Sequence, residues 1–291
     1  MAVRIGTYAR ALRIHQWVKN ALVFLPMLNA HIVTLNNLVT VTVAASAFCL
    51  LASAAYLIND LSDLQADRQH HTKRLRPLAS GKMPLRHARI LAPLLVLAGG
   101  GIAASVSLGF LWCSGVYLSV ALAYSFTLKR QPVLDVMALA GLYTLRVVAG
   151  GAALSIPVSA WLLAFCLFLF LCLALIKRVI ELQAQYGDPV TSGRGYRESD
   201  LPLLKMLCVA SGYASVLVLA LYINSAVVVT LYAHPEGLWA VCVLVLYWIT
   251  RALFLAHRGD MQDDPVLFVL KDRVSLGFLM LISFVVWACT L

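Results

Sequence analysis

Between residues 59 and 67 the chain reads Asn59-Asp60-Leu61-Ser62-Asp63-Leu64-Gln65-Ala66-Asp67. Asn59, Asp63 and Asp67 are spaced i, i+4, i+8, which on a helix makes one stripe with Asp60 beside it. Carboxylates that close repel one another, and no structural benefit offsets that cost. A hard divalent cation does so through oxygen ligands, and Mg2+ favours one or two carboxylates completed by water and substrate phosphates. The stripe therefore reads as a Mg2+–diphosphate site, with Asn59, Asp63 and Asp67 as metal ligands and Asp60, Asp63 and Asp67 as the catalytic carboxylates. The plainer reading is a solvated loop with a chance acidic run. Downstream, Lys73-Arg74-Leu75-Arg76-Pro77-Leu78-Ala79-Ser80-Gly81 supplies bases. Lys73 and Arg76 can hold the diphosphate charge that a metal only partly neutralises. Topology alone also gathers bases on one side of a membrane.

Two further places carry charge that needs a reason. Lys177, Arg178, Glu181, Asp188, Arg194 and Tyr196 fall in a segment with more bases than acids. It reads either as a phosphate-binding cluster or as topology charge with a Glu181 salt bridge. Arg146 lies about 13 residues into an apolar run, roughly 20 Å along a helix. A charge so deep faces a polar cavity, where it contacts phosphate, or pairs between helices. Both readings stay open. His15 and His257 read as interfacial residues at helix ends. The seven cysteines lie inside apolar runs without a CxxC and read as small core hydrophobes.

The elements that must position these residues follow from composition. The chain has 291 residues, 62% hydrophobic and 12% charged, with a net charge of +10. That excludes an ordinary soluble enzyme, a disordered chain and a disulfide scaffold. Nine apolar segments, 18–34, 38–58, 88–107, 110–128, 133–153, 158–177, 202–223, 238–257 and 274–291, are each long enough to cross a bilayer. The fold expected is an all-α polytopic membrane protein of nine transmembrane helices, one domain over 1–291, with Pro26 kinking the first span. With a cytoplasmic N-terminus, 22 of the 23 Lys and Arg residues fall on the inner side, and Arg146 is the remaining one. The bases sit in loops of a membrane protein, so nucleic acid is not an expected partner. The first 20 residues have no early apolar core, so no cleavable signal is expected. Tyr8, Leu12 and Trp17 among Arg4, Arg10, Arg13 and Lys19 suggest an interfacial helix. Segments 59–87 and 177–200 each follow an even-numbered span and mix acids with bases, a trace of two related halves.

The NDxxDxxxD run and the R-P-L-x-S-G run together resemble the UbiA superfamily of intramembrane transferases. Further segments are similar to its polyprenyl-phosphate (decaprenyl-phosphate) phosphoribosyltransferase branch. They are Arg13-Ile14-His15-Gln16-Trp17-Val18-Lys19-Asn20, Tyr124-Ser125-Phe126-Thr127-Leu128-Lys129-Arg130 with Asp135, Lys177 to Leu182, Gly193-Arg194-Gly195-Tyr196, and His257 to Val266 with Lys271-Asp272-Arg273. The resemblance implies helices around a central cavity with acidic motifs on its cytoplasmic side, in a bacterial inner membrane. It implies Mg2+, phosphoribosyl diphosphate as donor and a polyprenyl phosphate as acceptor. The product is a lipid-linked phosphoribose, precursor of decaprenylphosphoryl arabinose, for a cell-wall arabinan or a secreted oligosaccharide such as a Nod factor. The mechanism so implied has the lipid phosphate enter from the bilayer, near Lys19, Lys129 or Arg258, and attack C1 opposite the leaving diphosphate. Tyr124, Arg146, Glu181 and Tyr196 join the substrate-binding set. The prenylating members carry a second DxxxD after span six, and this chain does not. Lys177, Arg178 and Arg194 instead become candidates for a 5-phosphate. The rivals are prenyl transfer to an aromatic such as 4-hydroxybenzoate and an anionic-lipid transporter or flippase. A homo-oligomer is compatible with all three.

Overall fold

The computed structural model describes residues 5–69, 71–184, 195–261 and 264–290. Among them there is helix and no strand. The chain divides into two compact units, Met1–Lys129 with Leu145–Val158, and Arg130–Thr144 with Ser159–Leu291.

The first unit opens on α1 (Ile5–Ala11), a 3-10 segment (Ile14–Phe24) and α2 (Leu25–Asn29). Pro26 stands in the first turn of α2, where its missing N–H costs no hydrogen bond, and the helix type changes there. The expected first span is thus two short pieces. Tyr8 and Leu12 pack inward on Leu57, Leu78, Met83 and Ala88, and the Trp17 indole donates to Ser53 Oγ at 3.0 Å. The sequence put these three residues on an interfacial helix, and in the structure all three are half-buried against the unit's own helices.

Then come α3 (Leu35–Ser62), α4 (Leu64–Gln69), α5 (Leu85–Val106) and α6 (Leu108–Phe126). Thr34 caps α3 by accepting from the Asn37 N–H. Small residues, Ala44, Ala47 and Ala54, are fully buried along α3, which packs on α5 and α6. In lipid that is how helices approach closely, since apolar contrast with the solvent is lost. Phe48 of α3 meets Phe110 and Tyr117 of α6 at centroid distances of 5.6 and 4.8 Å. Ser107 is the single residue between α5 and α6, and its hydroxyl donates to Ala152 O at 2.9 Å. A Cβ on Gly150 would lie 2.1 Å from the Val23 carbonyl oxygen, so only glycine allows that approach.

The second unit takes the start of α7 (Leu134–Leu154), whose residues from Leu145 onward belong to the first. It continues with α8 (Ala160–Ala184), α9 (Leu201–Ile223), α10 (Ala226–Leu231), α11 (Leu238–Arg258), α12 (Pro265–Lys271) and α13 (Arg273–Ala288). α8 packs on α9, and α11 on α9 and α13. Asp272 caps α13 through Ser275 and receives Arg251 of α11 at 2.6 and 3.0 Å. Cys166, Cys172, Cys208, Cys242 and Cys289 are buried.

Seven helices among the described residues are long and apolar enough to cross a membrane. The other two of the nine expected spans are the broken first segment and α13, whose 16 residues reach about 24 Å. Leu97, Trp112, Val243 and Phe284 stand exposed on helix faces, as side chains facing hydrocarbon do and as a water-facing surface avoids. This is an integral membrane protein.

Candidate active site

The end of α3 and the start of α4 carry the acidic run. Asp63 forms the turn between them, yet its N–H still bonds Asn59 O at 2.9 Å, and the Asp67 N–H bonds Asp63 O at 2.8 Å. Helical register therefore passes through the turn. At 100° per residue, Asn59 and Asp67 are about 80° apart around the axis, whereas Asp60 and Asp67 differ by only about 20°. The partners follow that drift. Arg76 Nη1 lies 3.1 Å from Asp60 Oδ1 and 2.7 Å from Asp67 Oδ2. Lys129 Nζ takes Asn59 Oδ1 at 3.3 Å and the two Asp63 oxygens at 2.7 and 2.5 Å. The stripe expected to act together is divided into a pair on arginine and a pair on lysine.

The two halves differ in exposure and in freedom. The Asp60 and Asp67 side chains are 4% and 5% exposed, against 22% for Asp63. Asp60 also receives Arg13 Nη2 at 2.6 Å, with the Arg13 guanidinium 4.6 Å above the Tyr56 ring. Arg13 holds a left-handed backbone at φ 52°, a conformation that costs energy outside glycine. Arg76 is aimed by the turn that follows it. Leu78 and Met83 are buried as plugs, Ser80 N bonds Arg76 O at 2.9 Å, and Gly81 closes the turn at φ 75°. That is the physical content of the R-P-L-x-S-G run. Burial pushes the Asp67 carboxyl above its ordinary 3.8, Arg76 opposes the shift, and the Asp60 charge adds to it.

The donor set fits a hard cation. An amide oxygen and a carboxylate converge on one ammonium, so the place where a small cation is favoured is marked by Lys129 Nζ. A lysine ammonium is a compact charge on a flexible stem and can give way, while a guanidinium fork is fixed by its geometry. Among the described residues no three Asp, Glu, His or Cys side chains form a ready cage.

The second unit has its own cluster. Asp135, in the first turn of α7, is paired with Arg178 Nε at 2.7 Å, and both side chains are 1% exposed. Arg178 also meets the Glu181 carboxylate. Tyr196 donates to Asp135 Oδ1 at 2.6 Å and accepts from the Val133 N–H at 2.9 Å. Val133 is β-branched at φ 69°, a strained residue held by that hydrogen bond. Burial and the Asp135 bond both push the Tyr196 phenol up. Lys177, 31% exposed, points to Asp264 Oδ2 at 2.8 Å.

The other residues expected from sequence fall as follows. Arg146 is buried in the first unit, its Nε 2.9 Å from Asn20 Oδ1, its Nη2 2.8 Å from Tyr117 Oη and its guanidinium over the Tyr117 ring. Lys19 is buried on the 3-10 segment, Lys73 and Tyr124 are half-buried, and Arg258 lies 5.6 Å over Phe254. Arg194 and Asp188 lie outside the described residues. Arg13, Asp135, Asp264, Asn20 and Tyr117 complete these clusters without having been singled out as site residues. Arg13, Asn20, Asp135 and Asp264 fall in the quoted motifs, whereas nothing in the sequence signalled Tyr117, because each partner lies far away in the chain.

A profile of the UbiA prenyltransferase family matches residues 21–285. The chain belongs to that family. Among its relatives, the nodulation protein NoeC of Azorhizobium caulinodans is 37% identical, over 93% of this chain and 89% of its own length. The decaprenyl-phosphate phosphoribosyltransferase of Mycolicibacterium smegmatis is 33% identical, over 97% of this chain and 90% of its own. An uncharacterized protein y4nM of Sinorhizobium fredii is 38% identical over 94% of this chain, which spans about half (54%) of that relative's length. A UbiA homologue of Archaeoglobus fulgidus, solved with DMAPP and Mg2+, shares the fold with a TM-score of 0.71 at 16% identity, over 98% of this chain and 99% of that one. This UbiA-family chain is therefore a membrane transferase.

Proposed function

We propose that the protein transfers the 5-phosphoribosyl group from phosphoribosyl diphosphate to a polyprenyl phosphate, with Mg2+, at the cytoplasmic side of a bacterial inner membrane, as one transferase domain. The observation that carries this reading is the near full-length similarity, on both chains, to the mycobacterial decaprenyl-phosphate phosphoribosyltransferase. At the end of α8, Lys177 is paired with Asp264 and Arg178 with Asp135 and Glu181, so an incoming 5-phosphate would displace Asp264 from Lys177. Similarity to a nodulation protein favours a secreted signalling oligosaccharide as the final destination of the pentose.

Asn59, Asp63 and Asp67 would hold the metal, which when bound supplies positive charge to the leaving diphosphate. Arg76, fixed between Asp60 and Asp67, lends a guanidinium beside that charge. Asp60 and Arg13 keep Arg76 aimed. Lys129 leaves the Asn59–Asp63 pair for an incoming phosphate. Lys177, on the exposed side of α8, is the base that a 5-phosphate reaches, whereas Arg178 is locked between two acids and holds the cluster in shape. The acceptor oxygen attacks C1, the C1–O bond to diphosphate breaks, and the phosphate monoester needs no strong base because it is already anionic.

The test supplies purified protein and Mg2+ with labelled phosphoribosyl diphosphate and a polyprenyl phosphate, and in parallel a polyprenyl diphosphate with 4-hydroxybenzoate. Label enters the lipid only in the first mixture. Asp63→Asn lowers turnover on the order of 10³-fold, and Lys177→Ala raises KM for the sugar donor more than for the lipid. Product only in the second mixture would leave the family standing and sink the phosphoribosyl reading.

A further inference from the structure

The second unit holds a cavity of about 220 Å3 between α8, α9 and α11. Its walls are apolar, with Ile176 and Val179 of α8, Cys208 and Val209 of α9, and Phe254 of α11. One corner is basic. Lys205, in the second turn of α9, and His257, in the last turn of α11, both line it, with Lys205 Nζ 3.2 Å from His257 Nδ1. Arg258 lies over the Phe254 ring beside them. No carboxylate lines the cavity among the described residues.

Where this cavity sits restricts its occupant. All three helices are long and apolar enough to cross a membrane. Val209 and Phe254 are 42% and 56% exposed, so the slot opens on the surface that faces hydrocarbon. An occupant there presents a chain. Basic side chains at one end, with no acid among the described lining residues, favour an anionic head. The size restricts it further. A volume of 220 Å3 falls below the roughly 300–1,000 Å3 of drug-sized sites, enough for a head and the first part of one chain but not for both tails of a diacyl lipid. A phosphate monoester brings about two negative charges, against one for a phosphodiester lipid, and matches the clustered bases better.

We propose that this groove docks a polyprenyl monophosphate, with its phosphate on Lys205, His257 and Arg258 and its first isoprene units along Cys208, Val209 and Phe254. The assignment of that lipid as substrate rests on the phosphoribosyltransferase reading above. Ile176 and Val179 flank Lys177 and Arg178 on α8, so the groove lies on the helix that also carries the proposed 5-phosphate contact.

The experiment uses the full chain in nanodiscs and a photoactivatable farnesyl phosphate as probe, with cross-linked peptides identified by mass spectrometry. Cross-links fall on α9 and α11 around Val209 and Phe254. Unlabelled polyprenyl phosphate removes them, and equal dioleoyl phosphatidylglycerol does not. Lys205→Ala and Val209→Trp, the second at an exposed position that tolerates bulk, each reduce labelling by about tenfold or more. Both raise KM for the lipid and leave KM for phosphoribosyl diphosphate unchanged. Labelling elsewhere, equal competition by phosphatidylglycerol, or full labelling in both variants would overturn the groove. Because the cross-link needs no turnover, transfer without groove labelling sinks the groove alone. Groove labelling without transfer sinks the phosphoribosyl reading alone.

Discussion

At the scale of single residues, Asp67 meets two conflicting demands. Burial penalises its charge, and Arg76 requires that charge as a partner. Burial wins by a margin, so the carboxyl protonates above its ordinary 3.8. The sign of the consequence is fixed. Between the ordinary value and the raised one, the folded protein binds more protons than the unfolded chain, so this group's contribution to stability improves as pH falls. The same protonation removes the anion that Arg76 and a metal need. Activity and stability are therefore expected to part on the acid side, with kcat/KM falling while resistance to denaturant from this group rises. Paired pH profiles of turnover and of unfolding check this, with Asp67→Asn as the reference that lacks the stability slope. Activity that persists unchanged to below the ordinary carboxyl range would count against it.

At the scale of elements, the acidic run shows how a small rotation decides chemistry. The i, i+4, i+8 spacing is legible in the sequence, and the helix does pass through Asp63 in register. What spacing alone did not weigh is the drift of about 40° at each step of four residues, which brings Asp67 onto the line of Asp60. Thr34, Ser107 and Asp272 cap their helices through side-chain oxygens that accept backbone N–H bonds. The first segment read less well, since Pro26 breaks it into two helix types. The late part of α7 passes so close to that segment that Gly150→Ala places a methyl against the Val23 carbonyl. Its Cβ cannot be accommodated by a side-chain move. The expected cost is about 1–3 kcal/mol, in the range of overpacked cores, read as a lower midpoint in denaturant-monitored helix loss. A midpoint equal to that of the parent protein would show that the two segments part freely.

At the scale of the molecule, the charge asymmetry is the strongest global signal. Bases gather in segments 1–19, 59–89, 129–132, 177–205 and 251–273, and Arg146 is the one base outside them. Reporters fused after Asn59, Lys177 and Gly259 are expected to be cytoplasmic, and those after Asn36, Gly109 and Pro235 external. A cytoplasmic result at Pro235 would require a different number of crossings. The outcome bears directly on the two segments that are built short, the first and α13. A helix near 24 Å is below the roughly 30 Å hydrocarbon core, so it crosses only with local thinning or with help from its flanks. The Asp272 cap belongs to that help. Burial opposes its charge, and hydrogen bonds from Arg251 and Ser275 outweigh burial, holding the carboxyl at about 2.

The amino-acid sequence by itself determined the class of protein, the long helices and the place of the acidic and basic motifs. Each of these depends on local quantities, on how long an apolar run is, where its caps stand and which side its bases fall. Tertiary structure decided the partners. Lys129 reaches Asp63 from 66 residues away, and Arg146 reaches Asn20 from 126. Arg178, one of several bases in its segment, became the buried one because Asp135 of another helix lies against it. A charge takes the counter-charge that packing brings within about 3 Å, and packing is set by apolar faces and small residues far from the charge itself.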